Sequence, residues 1–433
     1  MSAHLPPPPT RDQCAELDRL DPLAMLRNHF VVPEGVIYLD GNSLGALPKA
    51  TLAKVSDAVS KQWGLGLIRS WNEAGWIDLP RRVGEKIARL VGAAADDLLA
   101  TDSTSVNLFK VLAAALSIQS IDQPERRSIV SERGNFPTDL YIAEGLCALL
   151  GENRHYQLDL IDDDRDLEGA LAKQPAVVML TQVDYRTGRM HDMAAVTKKI
   201  HAAGALAVWD LAHSAGAVPV ELDRSGADFA VGCGYKYLNG GPGAPAFVWT
   251  AKRHQSRAGQ PLSGWFGHAE PFRFESSYRP AAGVSRYLAG TPSVLGMIAL
   301  DTGVDSVLAA EAHGGMAAIR RKSIALAELF MALVSADPVC QALHLITPKN
   351  AELRGSQVSF AAGPELGDGY ALMQALIERG VIGDFRAPNI LRFGLTPLYL
   401  RYVDVFDAVG IMSELIRTGR WKDARFSVRA AVT

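Results

Sequence analysis

Cysteine is scarce in this chain. Cys14, Cys147, Cys233 and Cys340 are the only four in 433 residues, and no two of them form a CxxC pair. Thiols so sparse and scattered argue against a disulfide framework or a cysteine-based zinc site, and they fit a reducing cytoplasm. Cys233 falls near Lys236, where a small apolar cysteine at a strand end is the simpler role. Charge of neither sign dominates. A net charge of −3 and a pI near 6.4 offer nothing to nucleic acid or to an anionic membrane. No apolar run approaches the ~18 residues of a membrane span. The opening MSAHLPPPPT lacks both the positive charge and the apolar core of a signal peptide, and Pro6 to Pro9 read as a short, stiff arm. A Walker lysine motif is missing, as is a GxGxxG after a strand, one of which a triphosphate or dinucleotide fold would carry. There is no internal repeat, low-complexity tract or flexible interdomain linker.

What the chain does have is ordinary globular content, 48% hydrophobic and 21% charged, and enough length for two or three lobes. Residues 21–30 predict a short helix and 36–39 a strand, which runs into the turn-forming cluster Asp40-Gly41-Asn42-Ser43-Leu44-Gly45. Over 50–63, Leu52, Val55, Val59 and Trp63 recur at the spacing of one helical face, and 79–91 is also helical in pattern. Between about 96 and 250, apolar runs at 128–130, 176–181, 205–209, 229–231 and 246–249 alternate with helical segments. That alternation predicts a doubly wound, mostly parallel α/β sheet. Beyond about 290 it ceases: helices are expected over 294–311 and 315–336, then a strand at 357–361, a helix at 369–379 and a strand at 390–394. The expected organisation is an N-terminal arm and segment over 1–50, a large α/β domain over 51–295 and a smaller α+β domain over 296–433.

The most informative stretch is ALAVWDLAHSAGAVPVELDRSGADFAVGCGYKYLNGG at 205–241. One apolar run stops at Asp210, with His213 three residues later; a second stops at Gly234-Tyr235-Lys236. Buried strands ending this way deliver both side chains to one sheet edge, and ligands of open α/β sheets sit at the carboxyl edge. A lysine there on a glycine-flanked loop suits a Schiff base, and a carboxylate opposite suits a pyridinium nitrogen. A structural Asp–Lys ion pair between neighbouring strands would leave the same pattern.

Other segments point to the same edge. Thr101-Asp102-Ser103-Thr104-Ser105 precedes a helical stretch whose hydroxyls can cap it and whose free N–H groups can hold a phosphate. In Asn135-Phe136-Pro137-Thr138-Asp139, Phe136 can stack on a planar ring or simply fill the core before a helix-starting proline. Thr181 ends its strand as a further polar contact. Arg392 lies in the apolar strand Asn389-Ile390-Leu391-Arg392-Phe393-Gly394, where an unpaired guanidinium would be costly. Its anionic partner is either an intramolecular carboxylate or a substrate's.

DGNSLG at 40–45, NFPTDLY at 135–141, WDLAHSAGAVPV at 209–220, YKYLNGGPG at 235–243, PLSGWFGH at 261–268 and RFGLTPLY at 392–399 together resemble the kynureninases. These are fold-type-I pyridoxal-phosphate enzymes of the aspartate aminotransferase superfamily. The resemblance runs from about residue 20 to the C-terminus with the motifs in order. It implies that Lys236 is the Schiff-base lysine, that Asp210 pairs with the pyridine nitrogen, and that Phe136 stacks on the ring with Asp139 and His213 beside it. Thr104, Ser105, Pro137, Thr138, Thr181, Tyr235, Trp265 and Thr291 would line the cofactor and phosphate site, Trp265 and Thr291 from the partner subunit of a homodimer. Arg392 would clamp the substrate α-carboxylate, and Tyr235 would serve as the acid of a late proton transfer. The implied reaction is hydrolysis of L-kynurenine, and of its 3-hydroxy form, to an anthranilate and L-alanine in tryptophan degradation. Gly234, where the family often has serine or threonine, departs from the pattern, and so does Gln182-Val183-Asp184-Tyr185. A desulfurase-like relative would need a reactive cysteine late in the chain, where only Cys340 stands. A cofactor-binding but inactive interaction protein would not need Lys236, Asp210 and Arg392 together.

Overall fold

The five apolar runs between 96 and 250, joined by two strands the sequence reading did not single out, the first and the third, form a seven-stranded sheet of β1 (Leu98–Thr101), β2 (Ser128–Glu132), β3 (Gln157–Ile161), β4 (Val177–Thr181), β5 (Leu206–Asp210), β6 (Phe229–Gly232) and β7 (Ala246–Thr250). This computed structural model describes residues 8–151, 155–163 and 165–429. The order is β1-β7-β6-β5-β4-β2-β3. Strands β2 to β6 are parallel, while β7 is antiparallel to both of its neighbours. Two antiparallel steps return β1 to the direction of the parallel strands, so its carboxyl end emerges at the same edge as theirs. Register then brings the chemistry together. Thr181 sits opposite Asp210, and Asp210 opposite Val231, two residues before Cys233.

Burial on both faces explains the near-continuous apolar strands. Val177, Met179, Val208, Phe229, Val231 and Val248 join Leu108, Val111, Leu112 and Ala115 of the helix Thr104–Asp122 in one core. By length and apolarity that helix could cross a membrane, contrary to the sequence reading that nothing approached a span; it is instead packed into this core. The amino ends of β5 and β6 are pinned by Asp228. Its carboxylate accepts from the Ala207 amide at 2.7 Å and meets His201, His254 and Arg253 at 2.6–2.7 Å. Burial works to raise this carboxyl, but the imidazoles and the Ala207 amide hold it well below the ordinary range.

The chain divides into two units, one of Ala50–Tyr185 and His191–Asp305, the other of Met1–Lys49, Arg186–Met190 and Ser306–Thr433. The second contains the antiparallel sheet β8 (Leu343–Leu345), β9 (Gln357–Ala362), β10 (Asp384–Arg386) and β11 (Ile390–Gly394), in the order β8-β9-β11-β10. Ile37–Tyr38 pairs in parallel with Val381–Ile382, which ties the DGNSLG turn to this unit.

Several expectations change. Residues 21–30 contain a 3-10 helix, Ala24–His29, followed by a short strand from Phe30. An α-helix that the pattern did not announce, Arg11–Leu20, is closed by a capping box between Thr10 and Gln13. Of the proline arm, positions 6 and 7 lie outside the described residues. The helix at 50–63 is Lys49–Asp57 continuing as a π-helix, Ala58–Gly66. Its apolar stripe faces outward: Leu52, Val59 and Trp63 are exposed, as are Leu65, Leu67 and Ile68 beyond it. Helical spacing reports a shared face, not what covers it.

Candidate active site

Three parallel strands end side by side, and the turns after them build a cavity of about 210 Å³. Thr104, Ser105, Phe136, Thr138, Asp139, Thr181, Tyr185, Asp210, Ala212, His213, Tyr235 and Lys236 line it. Ten of the residues singled out in the sequence thus meet in one place. Lys236 follows β6 in a tight turn closed by Asn239 N–H to the Lys236 carbonyl and Gly240 N–H to the Gly234 carbonyl. Gly234 is explained here: a Cβ would lie 2.2 Å from the Pro245 carbonyl oxygen and 2.8 Å from Leu300, so no side chain fits. The departure from the family pattern is a packing requirement of this chain.

The Lys236 Nζ lies 2.9 Å from Nε2 of buried His213, and 5.9 Å and 5.7 Å from the ring centroids of Phe136 and Tyr235. An aromatic face, an amine and an imidazole therefore surround one small volume. Phe136 is 42% exposed, which removes the alternative of a core-filling phenylalanine. Its position is fixed from below. Asn135 Oδ1 accepts from the Phe136 amide at 2.6 Å and from the Thr181 hydroxyl. Pro137 starts the helix Pro137–Leu150 and is not among the lining residues.

Asp210 and Asp139 are both buried, and they face one another closely enough to share a hydrogen bond. Burial pushes both carboxyls up. For Asp139 the Asp210 charge adds to that rise and carries it far; for Asp210 the Lys236 charge, the Ala212 amide and Asp139 pull the other way. Of the two, Asp139 is raised the further, so the shared burial weighs most on its carboxyl. The Ala212 amide donates to Asp210 Oδ1 at 2.8 Å. At the cavity's other end the helix Thr104–Asp122 begins. Ser103 caps it by accepting from the Val106 amide, and the remaining first-turn N–H groups form the kind of end that suits an anion.

Sequence reasoning missed two contributors. Tyr185 lines the cavity with its ring edge-on to Phe136 at 5.2 Å, and Asn135 organises Phe136 and Thr181. Both stand in motifs singled out in the sequence, so position was legible but orientation was not. Trp265 and Thr291 are exposed and do not line this cavity. Arg392 belongs to the other unit and has an intramolecular partner. Its Nε donates to Asp384 Oδ1 at 2.8 Å, and its Nη2 meets Asp384 Oδ2 and Ser43 Oγ. Burial opposes ionisation of Asp384, but Arg392 outweighs it and holds the carboxyl low. All four cysteines are buried and free.

The Kynureninase C-terminal domain family matches residues 319–412. Kynureninases of Burkholderia mallei and Pseudomonas fluorescens are 55% and 53% identical to this chain over 424 residues, covering 98% of it and all of each relative. Among solved structures, the apo cysteine desulfurase of Thermococcus onnurineus NA1 matches with a TM-score of 0.73 at 20% identity, covering 91% of this chain and 98% of that one. A C-DES variant with glycine covalently linked to its PLP cofactor matches with a TM-score of 0.73 at 16% identity, covering 94% and 99%. At such identities these structures speak to the fold.

The carboxyl pair makes a prediction about stability. A carboxyl raised by folding stays protonated in the fold, while the unfolded chain ionises near pH 4. The penalty is absent below that value and grows as pH rises toward the folded pKa. Asp139→Asn keeps a donor toward Asp210 and cannot ionise. Cofactor-free Asp139→Asn should therefore melt above the parent at about pH 7.5 and close to it at about pH 4. A lower melting temperature at the higher pH would show that Asp139 is ionised in the fold.

Proposed function

The chain belongs to the kynureninase family, and from that premise we propose that it hydrolyses L-kynurenine and its 3-hydroxy form to the corresponding anthranilate and L-alanine, with pyridoxal phosphate as cofactor. The observation that carries this reading is the convergence of the Lys236 amine, the Asp139–Asp210 pair and the Phe136 ring on one cavity. These residues fit the cofactor. An amine stands ready for its carbonyl, a buried acid for its ring nitrogen, an aromatic face for the ring, and a hydroxyl-flanked helix N-terminus for the phosphate. Two carboxyls, Asp139 and Asp210, buried side by side in the cavity wall, mark the polar demand of the site.

Bound there, pyridoxal phosphate supplies an electron-accepting ring conjugated to the substrate's α-amino group. Asp210 would hold the proton on the ring nitrogen, with Asp139, the further raised of the two carboxyls, beside it. Lys236 would hold the cofactor, and its amine, 2.9 Å from His213 Nε2, would move the Cα proton of a bound substrate. Tyr235 delivers the late proton to the alanyl Cβ. Thr104, Ser105 and Thr138 hold the phosphate, and Thr181 supports the ring edge through Asn135. Chromatography of products from L-kynurenine tests the reading: the parent should release anthranilate and alanine, and Lys236→Ala neither. Borohydride reduction should place the pyridoxyl group on Lys236; a label elsewhere, or products from Lys236→Ala, would sink the assignment.

Arg392 is assigned to the substrate α-carboxylate, with Asp384 and Ser43 holding its Nε and Nη2. A lysine cannot reproduce the planar fork, so Arg392→Lys should raise KM at least about tenfold while keeping the fold and the bound cofactor. Unfolding or loss of cofactor with KM unchanged would reduce Arg392 to a structural ion pair.

A homodimer in a cytoplasmic setting completes the proposal. Free cysteines support the setting. The exposed stripe of Leu52, Val59, Trp63, Leu65, Leu67 and Ile68 supports an interface. Trp265 and Thr291, outside their own chain's cavity, would serve the partner's. Mixing inactive Lys236→Ala with an inactive Trp265 or Thr291 variant should then restore part of the activity. A monomer that stays fully active on dilution refutes it.

A further inference from the structure

Lys110 is wholly buried, two turns into the helix Thr104–Asp122, and the scheme above gives it no task. It does not line the cavity, although Thr104 and Ser105 of the same helix do. Its Nζ is paired with the Asp102 carboxylate and donates to the Tyr287 carbonyl. Burial lowers the lysine's pKa, and Asp102 opposes that shift. An ammonium taken out of water this completely has a large desolvation cost, so its partner must be held firmly.

Asp102 is an unusual residue to find here. It is a non-glycine in the left-handed region, φ +43°, at the turn from β1 into the helix. Its carbonyl accepts from the Ala246 amide of β7, and its Oδ2 from the Thr101 hydroxyl at 2.9 Å. Asn107, three residues before Lys110 on the same helix, donates to the Thr101 carbonyl at 2.8 Å. A carboxylate two residues before a helix that receives a phosphate is a like charge at the wrong place. Lys110 cancels it. Through Tyr287 the same ammonium reaches the segment whose Ala289 carbonyl accepts from the Phe266 amide, beside Trp265.

We propose that Lys110 is a positioning residue for the cofactor phosphate, neutralising Asp102 in the turn that opens the phosphate-binding helix and fastening that turn to the Tyr287 segment. The proposal rests on the pyridoxal-phosphate reading. It deepens that reading by separating recognition of the phosphate from recognition of the ring.

The test compares binding of pyridoxal phosphate and of pyridoxal, which lacks the phosphate, to cofactor-free protein. Lys110→Met leaves the Asp102 charge unmasked. Its affinity for pyridoxal phosphate should fall at least about tenfold, while its affinity for pyridoxal should change less than about twofold. Adding Asp102→Asn, which tolerates the same backbone, should restore pyridoxal-phosphate binding to within about threefold of the parent. Equal losses for the two ligands, or no rescue by the second change, would overturn the proposal. Should Lys110→Met fail to fold, Asp102→Asn alone decides. With Lys110 unopposed it should bind pyridoxal phosphate at least as tightly as the parent, and weaker binding overturns the idea. If the parent binds neither ligand, the cofactor reading has failed rather than the role of Lys110.

Discussion

A charge taken out of water must be answered by a partner, and the arrangement at the sheet edge depends on how Asp210 is answered. It ends a strand buried on both faces, so its carboxylate cannot turn to solvent. Asp139, its carboxyl pushed up by burial and by the Asp210 charge, faces it, the Ala212 amide donates to it, and the Lys236 charge favours its ionised form. The result is an acid held in the wall of a small cavity beside an amine. The same rule governs Lys110 with Asp102, Arg392 with Asp384, and Asp228 with its two histidines. Each of these buried groups marks a place where one segment must be held against another.

The solved structures that resemble this one include desulfurases, and the fold by itself would permit that chemistry. The side chains decide otherwise. Sulfur transfer needs an accessible thiolate, whereas Cys340 is fully buried and its thiol is pushed up to about 12 by burial and the Asp337 charge. Cys233, nearest the cavity, is buried as well, and burial raises its thiol. All four cysteines are buried and free.

Much of the large sheet was legible because both of its signals are local. Apolar runs of strand length ended within two residues of the observed strand ends, and Asp210, Lys236, Thr181 and Phe136 followed from those ends. Gly234 was visible as an anomaly, but its reason was not, since the Pro245 carbonyl that crowds it comes from the loop before the next strand. The helix Arg11–Leu20 escaped because its stability lies in a capping box and in packing, with little apolar periodicity to announce it.

Sequence alone determined the alternation of strands and helices, the residues at the strand ends and the family, because each rests on neighbours in the chain or on long contiguous motifs. Tertiary structure decided which of those residues meet and in what charge state. Only the register of β4 and β5 sets Thr181 beside Asp210, and only packing pushes the Asp139 carboxyl up. It also decided that the stripe from Leu52 to Trp63 faces outward and that Arg392 has Asp384 beside it. Period and spacing say which side chains share a face; what covers that face, and what answers a buried charge, depends on residues distant in the chain.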